Sequence, residues 1–402
     1  MRWSNRAMLR LLIVNTLVEV KGMRTDYKVL GDYIQLVDQR NRDLSVTRLL
    51  GVSIEKRFIP SIANIVGTDL SSYKIVRTGQ FAYGPVTSRN GEKISIAYLD
   101  GEDCIISSSY TVFEVAKKDE LDSEYLMLWF SRPEFDRYAR YKSHGSVREI
   151  FDWNELCAVE LPIPSIDKQR NIVKAYKTIT NRITLKKLIN DNLADTIDAI
   201  FINLYQNIDE ESAVPFCNLC SLASSKRVFA EDYVSEGVPF YRGKEITQKR
   251  NGEPINDPLY ITTEHYKTLK KKYGVPACGD ILITAVGTIG NSYLVQEEDF
   301  YFKDGNIIWL KDFRDLGLNH YLYDYMQTSI FKRDLEGICI GSTQTALTIV
   351  ALSNLKVKIP SQTLLSEYCK KSKVIRSNIQ ANNAEILRLT LVAQSILASL
   401  SR

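Results

Sequence analysis

An internal repeat constrains the fold of this 402-residue chain more than any other feature of its sequence. Between residues 121 and 165, the first half matches the second without gaps at an offset of 196 residues. The identical pairs are Tyr125/Tyr321, Leu126/Leu322, Phe135/Phe331, Arg137/Arg333, Gly145/Gly341, Ser146/Ser342, Leu156/Leu352, Ile163/Ile359, Pro164/Pro360 and Ser165/Ser361. One register continues from a predicted helix through a Gly-Ser turn to an Ile-Pro-Ser stop. The chain is therefore predicted to contain one structural unit built twice.

The repeat continues into two segments whose apolar residues recur at alternating spacings of three and four. The first runs from Ile172 to Leu204 and the second from Ile375 to Leu400, and neither contains Gly or Pro. This heptad spacing is typical of paired helices, so we expect an antiparallel coiled coil rather than two separate surface helices. The apolar seam is predicted to include Ile179, Ile183, Leu193, Ile197, Ile375, Ile379, Ile386 and Leu389. Lys186, Asn190 and Asn382 are polar seam positions, which commonly fix the register of such a pair.

Upstream of the helices, apolar runs that begin at a glycine predict buried strands. The run Gly79–Val86 matches Gly279–Val286 at an offset of 200, and Tyr110–Val115 matches Asn306–Leu310. The change of offset from 200 to 196 assigns a four-residue difference to the loops between these strands. The predicted fold class is α+β, with two repeated mixed, strand-rich domains that are each followed by a long helix.

Several segments together resemble the specificity subunits of Type I restriction–modification systems along almost the whole chain. They are residues 279–290 (GDILITAVGTIG), residues 341–344 (GSTQ), Leu156-x4-Leu161-Pro162-Ile163-Pro164 followed by Gln169-Arg170, and Leu355-x3-Ile359-Pro360. Copy two departs from the family pattern at Leu365, which stands where copy one has Gln169. Copy one departs from it at residues 84–86 (GPV) and 145–147 (GSV).

The resemblance implies that each strand-rich domain is a target recognition domain that reads one half of a split, asymmetric DNA target. It also implies that the helices space the two halves and dock two methyltransferase subunits, with two restriction or translocase subunits as a further partner left open. S-adenosylmethionine and ATP would belong to those partners, so no cofactor is expected in this chain. The expected divisions are 1–22 as an N-terminal extension ahead of Met23, 23–170 as recognition domain 1, 171–208 as spacer helix 1, 209–365 as recognition domain 2, and 366–402 as helix 2.

Polar residues on the loops beside the predicted strands are the candidates for DNA contact. Arginine and lysine pair with guanine and asparagine or glutamine with adenine in the major groove. The candidates are Arg89, Asn90, Lys93 and Arg148 in copy one, and Arg242, Lys244, Thr284, Asn291 and Gln344 in copy two. Taken singly, each is also explained as an ordinary solvated loop residue. The run that contains Lys267, Lys270, Lys271 and Lys272 could bind phosphate or form a solvated helix face.

Composition limits the other possibilities. A net charge of +4 is low for a protein that binds DNA through phosphates alone, so cations must be concentrated locally or phosphate contacts shared with a partner. Seven cysteines without framework spacing favour a reducing cytoplasm. Cys217 and Cys220 form a lone pair, more simply read as small buried residues than as a zinc site. No metal site and no membrane association are expected.

Catalytic motifs are absent from the sequence. No Asn/Asp-Pro-Pro-aromatic segment, glycine-rich cofactor loop or Walker-type loop occurs, and the three histidines are isolated. No catalytic residue is therefore predicted, and the chain is expected to recognise DNA without chemistry of its own. Two alternatives stay open: a stand-alone DNA-binding regulator or scaffold, and a nuclease with a short, degenerate active site.

Overall fold

The computed structural model describes residues 27–61, 68–88, 90–145, 148–253, 255, 257–339 and 346–400. The predicted extension 1–22 and the candidate residues Arg89 and Gln344 lie outside these ranges. Contacts divide the chain into two units: unit 1 contains Met1–Thr184 with Ile386–Arg402, and unit 2 contains Leu185–Glu385. Each unit is described by itself.

Unit 1 contains ten short strands and three short helices within the described residues. The strands are β1 (Tyr27–Val29), β2 (Ile34–Val37), β3 (Leu50–Val52), β4 (Phe58–Pro60), β5 (Lys74–Val76), β6 (Phe81–Tyr83), β7 (Ile96–Tyr98), β8 (Cys104–Ile106), β9 (Thr111–Val115) and β10 (Glu160–Pro162). The helices are α1 (Ser123–Phe130), α2 (Pro133–Tyr141) and α3 (Trp153–Cys157). The long helix α4 (Ile166–Gln206) begins in this unit and continues into the next.

Unit 2 follows the same order of elements, with additions. Its strands are β11 (Ala213–Pro215), β12 (Ser221–Ala223), β13 (Tyr233–Val234), β14 (Val238–Tyr241), β15 (Leu259–Ile261), β16 (Ile281–Thr284), β17 (Ser292–Leu294), β18 (Tyr301–Phe302), β19 (Ile307–Lys311) and β20 (Lys356–Lys358). Its helices are α5 (Gly243–Arg250), α6 (Thr263–Tyr273), α7 (Leu318–Tyr325), α8 (Ser329–Ile338), α9 (Ile349–Asn354) and the start of the long helix α10 (Gln362–Ser399).

The same sheet scaffold is present in both units. A four-stranded antiparallel sheet has the order β2-β9-β6-β7 in unit 1 and β12-β19-β16-β17 in unit 2. A two-stranded sheet joins the first and last strands of each domain, β1 with β10 and β11 with β20. The predicted strand runs Gly79–Val86 and Gly279–Val286 contain the equivalent strands β6 and β16. The repeat therefore reflects one scaffold used twice, which confirms the predicted α+β class.

A buried tyrosine fastens the first helix of each domain to the last strand. The Tyr125 hydroxyl donates to the carbonyl oxygen of Pro162 at 3.0 Å, and the Tyr321 hydroxyl donates to that of Lys358 at 2.8 Å. Both the donors and the acceptors are 196 residues apart. The repeated tyrosine therefore keeps its hydroxyl because a buried polar group needs a partner.

The units differ in the segment between β2 and β6 of unit 1 and the equivalent segment between β12 and β16 of unit 2. Among the described residues of unit 1, the hairpin β3-β4 and strand β5 occupy this segment, without an α-helix. In unit 2 it holds β13, β14, β15 and the helices α5 and α6, and the three strands form a second sheet with β18. The structure therefore varies by insertion while the scaffold is kept.

The two long helices run antiparallel within each unit. In unit 1, Ile179 packs with Leu389 and Ala393. In unit 2, the ring centroids of Phe201 and Tyr368 are 5.9 Å apart. Within unit 1, Val173, which precedes Ile179, shares a buried cluster with Leu400, which follows Leu389. Within unit 2, Asn190, which precedes Phe201, donates to Asn383, which follows Tyr368. The helices therefore run in opposite directions in each unit, as predicted for the antiparallel pair.

The starts of the two long helices are built differently. Gln169 is buried, and its amide nitrogen donates to the carbonyl oxygens of Glu120 and Pro164, each at 2.7 Å. Its amide oxygen accepts from the Asp122 backbone nitrogen at 2.8 Å. Leu365, which holds the same position in copy two, is buried among apolar side chains. The sequence departure at this position thus exchanges a hydrogen-bonded helix start for an apolar one. In the described part of the chain, no helix is both long and apolar enough to cross a membrane.

Candidate nucleic-acid interface

In each unit, sequence-predicted contact residues lie in, or directly beside, the loop that follows β6 in unit 1 and β16 in unit 2. The Gly84 nitrogen donates to the Ser95 carbonyl oxygen at 2.9 Å, and the Thr284 nitrogen donates to that of Asn291, also at 2.9 Å. Ten residues lie between the first pair and six between the second. We call residues 85–94 the first variable loop and residues 285–290 the second variable loop. The four-residue difference predicted from the change of offset lies here.

Both variable loops are fastened at their base by equivalent bonds. The Phe151 nitrogen donates to the Pro85 carbonyl oxygen, and the Leu347 nitrogen donates to that of Ala285, each at 2.9 Å. Isolated bridges pair Val86 with Ile150 and residue 286 with residue 346. Because the framework on both sides is the same, the units diverge in the loops themselves.

Asn90 and Lys93 of the first variable loop both have partners within unit 1. The Asn90 side chain donates to the Val86 carbonyl oxygen at 3.3 Å and is half-buried. The Lys93 ammonium lies 2.9 Å from Oε1 of Glu55, and the hydrogen bond from Lys93 lowers the pKa of that carboxyl. Both groups of this ion pair are largely exposed, so Lys93 can exchange Glu55 for a phosphate or a base at little cost.

Arg148 lies exposed in the turn beside the base of the first variable loop. In the part of the chain that the structure describes, its side chain has no hydrogen bond or ion pair. Gly145 begins this turn with φ of +139°, and a Cβ there would lie 2.1 Å from the Arg148 carbonyl oxygen. Only glycine fits at position 145, so the close approach of Gly145 to the Arg148 backbone requires this residue.

A largely buried lysine, which sequence reasoning did not identify, supports the first variable loop. The Lys56 ammonium lies 2.5 Å from Oδ1 of Asp136 on α2 and 2.8 Å from the carbonyl oxygen of Ile94. The same carboxylate oxygen accepts from the Ile94 nitrogen at 3.0 Å. Burial lowers the pKa of Lys56, while the hydrogen bond to Asp136 opposes that shift. The end of the loop is thus held between a hairpin and a helix that lie far apart in sequence.

In unit 2, an ion pair fixes the start of α5. The Arg242 guanidinium donates to Oε1 of Glu245 at 2.7 Å and to Oε2 at 3.2 Å. Burial alone would raise the pKa of Glu245, but hydrogen bonds from Arg242 hold it below its usual value. Arg242 is therefore partly engaged by the protein itself. Lys244, two residues after Arg242, is exposed.

Polar side chains bind α5 to the residue that directly follows the second variable loop. Asn291 donates to the Thr247 hydroxyl at 3.0 Å and accepts from the Arg250 guanidinium. The Thr284 side chain is buried, and its hydroxyl donates to the Thr288 carbonyl oxygen and accepts from the Asn291 nitrogen at 3.0 Å. Thr284 has no exposed surface for DNA, so any contribution it makes comes through the shape of the loop.

All eight predicted apolar seam residues lie on the two long helices. Ile179, Ile197 and Leu389 are buried, and the half-buried members are Ile183, Leu193, Ile375, Ile379 and Ile386.

The polar seam positions form a hydrogen-bonded layer in unit 2. Lys186 donates to Oδ1 of Asn382 at 2.7 Å, and Asn382 donates to Oδ1 of Asn190 at 2.8 Å. Asn190 donates in turn to Asn383 at 2.8 Å, and Lys186 also lies 2.9 Å from Glu385. The layer joins one long helix to the other through four consecutive polar contacts.

Among the described residues, no three His, Cys, Asp or Glu side chains are grouped to hold a metal ion. Cys220 is buried, and burial raises the pKa of its thiol to about 12. This agrees with reading Cys220 as a small buried residue. Cys217, by contrast, is exposed.

Comparison with known proteins gives matches to one family. Residues 66–194 and 217–387 each match the model of the Type I restriction modification DNA specificity domain. A Haemophilus influenzae protein, named as a candidate type I restriction enzyme specificity subunit, is 26% identical over 258 residues. That match covers 62% of this chain and 63% of the relative. The crystal structure of a Type-I restriction-modification system S subunit from M. genitalium matches 94% of this chain and 96% of its own, with a TM-score of 0.58 and 15% identity. The structural match supports the fold alone.

Proposed function

Because the chain belongs to the family of Type I restriction modification DNA specificity domains, we propose that it is the specificity subunit of a restriction–modification complex. Each unit would read one half of a split, asymmetric DNA target. The resemblance inferred from sequence is confirmed by the family match. The bipartite target, the partner subunits and work in the cytoplasm are parts of the proposal.

One observation carries the proposal of an asymmetric target. Two units share a scaffold down to equivalent hydrogen bonds at the base of each variable loop, yet the loops differ by four residues. Unit 2 also has α5 packed against its scaffold strands, whereas the described segment between β2 and β6 in unit 1 has no α-helix. Two units that read the same sequence would have no need of such divergence, since a homodimer supplies symmetry from one copy.

Exposed apolar residues on the long helices support the docking of partner subunits. Leu185, Leu188 and Ile189 are exposed on α4 at spacings of three and four, so they form one ridge outside the seam. Contiguous exposed apolar surface marks an interaction site. We assign this ridge to a methyltransferase subunit, which would carry S-adenosylmethionine; ATP would belong to a translocating restriction subunit. That the paired helices space the half-sites stays a prediction.

A domain exchange tests the proposal. The full chain, purified with the subunits that accompany it, is incubated with S-adenosylmethionine and a genomic DNA library, and the methylated motif is read by sequencing. Replacing residues 213–360 by the same region of a relative should change one half of the motif and leave the other half intact. A motif that changes in both halves, or in neither, would contradict the proposal.

The same preparation separates the alternatives. Co-purification with a methyltransferase is expected for a specificity subunit and not for a stand-alone regulator or scaffold. The chain by itself, given S-adenosylmethionine, magnesium and ATP, should neither methylate nor cleave DNA. Cleavage by the isolated chain would favour the nuclease alternative.

A further inference from the structure

The solvent face of helix α5 carries a row of polar side chains. Glu245 and Ile246 are buried, whereas Lys244, Thr247, Gln248 and Asn251 lie on the opposite side at spacings of three, four and seven residues. The last of these is the residue that caps the helix at its end. This side of α5 therefore offers a continuous strip of hydrogen-bonding groups about two turns long.

Two of the four side chains in this strip are engaged by neighbouring residues, and two are not. Thr247 is engaged by Asn291 at 3.0 Å, and Asn251 donates to Glu253 at 3.0 Å. Lys244 and Gln248 are one helical turn apart, and neither side chain has a hydrogen bond or ion pair to any residue within the described ranges. A lysine and a glutamine left open on one face can donate to guanine and pair bidentately with adenine.

The helix is held rigidly and beside the second variable loop. Arg242 and Glu245 fix its first turn, and Arg250 binds both Asn291 and, at 3.0 Å, Oε1 of Gln327. The Thr247 and Thr288 hydroxyls are 3.3 Å apart, so the edge of the strip meets the loop directly. These hydrogen bonds hold the helix in place without using the side chains of Lys244 and Gln248. Sites on rigid elements are more exact than sites on free loops.

We propose that α5 is the base-reading element of unit 2, with Lys244 and Gln248 as specificity-determining residues that enter the major groove of one half-site. This inference rests on the proposed function, since it names the residues by which one unit selects its sequence. The proposal concerns unit 2 alone. The major groove is wide enough to admit one α-helix.

Selection of bound sequences from a pool of random duplexes tests the proposal. The full chain, in the complex with which it purifies, is used as wild type, Lys244→Ala, Gln248→Ala and Gln248→Glu. Each alanine variant should lose discrimination at one or two adjacent base pairs of a single half-site, by a factor on the order of 10. Gln248→Glu should move the preference from adenine toward cytosine, because a carboxylate only accepts hydrogen bonds.

Lys267→Ala is the matched control, because Lys267 is an exposed lysine on the other inserted helix, α6. It should leave the selected motif as in wild type and at most weaken binding to all sequences alike. Thermal melting shows that each variant is folded, and Gln248→Glu supplies a gain of preference that misfolding cannot produce. If wild type selects a bipartite motif and the α5 variants select the same one, the proposal for α5 is overturned while the proposed function stands. If wild type selects no motif, the proposed function fails together with it.

Discussion

Lys186 donates a hydrogen bond to Asn382, the residue that occupies the same position in the second repeat, with 2.7 Å between Nζ and Oδ1. Residue and counterpart thus meet within the seam of the two antiparallel helices. Asn382 is 9% exposed and also donates to Asn190. A polar layer of this kind fixes register because any slip leaves buried donors without acceptors.

Asn382→Leu should therefore destabilise the helix pair by about 1–3 kcal/mol, since it removes one hydrogen-bond partner from Lys186 and leaves the amide oxygen of Asn190 without its donor. The double variant Lys186→Leu/Asn382→Leu should lose less stability than the two single variants lose in sum, because an apolar pair replaces a broken network. The urea midpoint of the far-UV circular dichroism signal measures both. Additive effects in this double-mutant cycle would show that the two residues are not coupled.

A buried acidic residue holds α7 to the long helix α10. The Tyr368 hydroxyl donates to Oδ2 of Asp324 at 2.6 Å, and Arg376 pairs with the same carboxylate. Asp324→Ala would remove the paired carboxylate from the largely buried guanidinium of Arg376, at a cost of about 3–5 kcal/mol. Asp324→Asn, which keeps an acceptor for Tyr368, should lose less. Equal losses for the two variants, measured by urea unfolding, would show that the acceptor for Tyr368 adds nothing, and a small loss for Asp324→Asn would contradict the assigned role of the buried charge.

How far the sequence predicts this fold depends on whether a contact has a periodic signature. The seam and the equivalent strands β6 and β16 were predictable, because heptad spacing and apolar runs repeat along the chain. Lys56 and Asp136 lie 80 residues apart in sequence, and no local pattern marks their pairing. Helix α5, with the sequence GKEITQKR, also went unpredicted, because it is short and mostly polar and is stabilised by contacts with β16 and β17.

The candidate contact residues show the same division. Loop position identified Arg148 and Lys244, both exposed, but could not show that Thr284 is buried or that Asn291 binds Arg250. Those facts depend on tertiary packing, in which a polar side chain at the end of a strand turns inward and forms hydrogen bonds with the backbone of the loop. Arg89 and Gln344, which lie outside the described residues, stay predictions.

The repeated tyrosines allow the same prediction to be tested once in each unit. Tyr125→Phe and Tyr321→Phe each remove a buried hydroxyl that donates to an equivalent backbone carbonyl. Each change should lower the free energy of unfolding by about 1 kcal/mol, and by a similar amount because the geometry is the same. Tyr141→Phe, at a position that is 81% exposed, is the control and should change it little. A large difference between the two repeats would show that the hydroxyls have different roles.

Acid should weaken the anchoring of α5. Because the folded pKa of Glu245 lies below its usual value, its ion pair with Arg242 stabilises the fold above the unfolded pKa of about 4.3. That stabilisation is lost as pH falls through the folded value. Glu245→Gln should lower Tm at pH 7 and flatten the fall of Tm below about pH 4.5. Glu236→Gln, at an exposed position, should follow wild type throughout. If Tm falls below about pH 4.5 as steeply in Glu245→Gln as in wild type, this contribution is ruled out.

Shortening the first variable loop separates recognition from folding. Deleting residues 88–91 leaves six residues between Gly84 and Ser95, the length found in unit 2, and spares the bond between Phe151 and Pro85. Loop-closure entropy changes by only about 0.6 kcal/mol for a twofold change of length, so Tm should move by a few degrees at most. The half-site read by unit 1 should be lost or altered while the other half is kept. Replacing residues 88–91 by Gly-Ser-Gly-Ser keeps the length and so separates the loss of side chains from the loss of length. A selected motif identical to that of wild type in both variants would show that this loop does not read DNA.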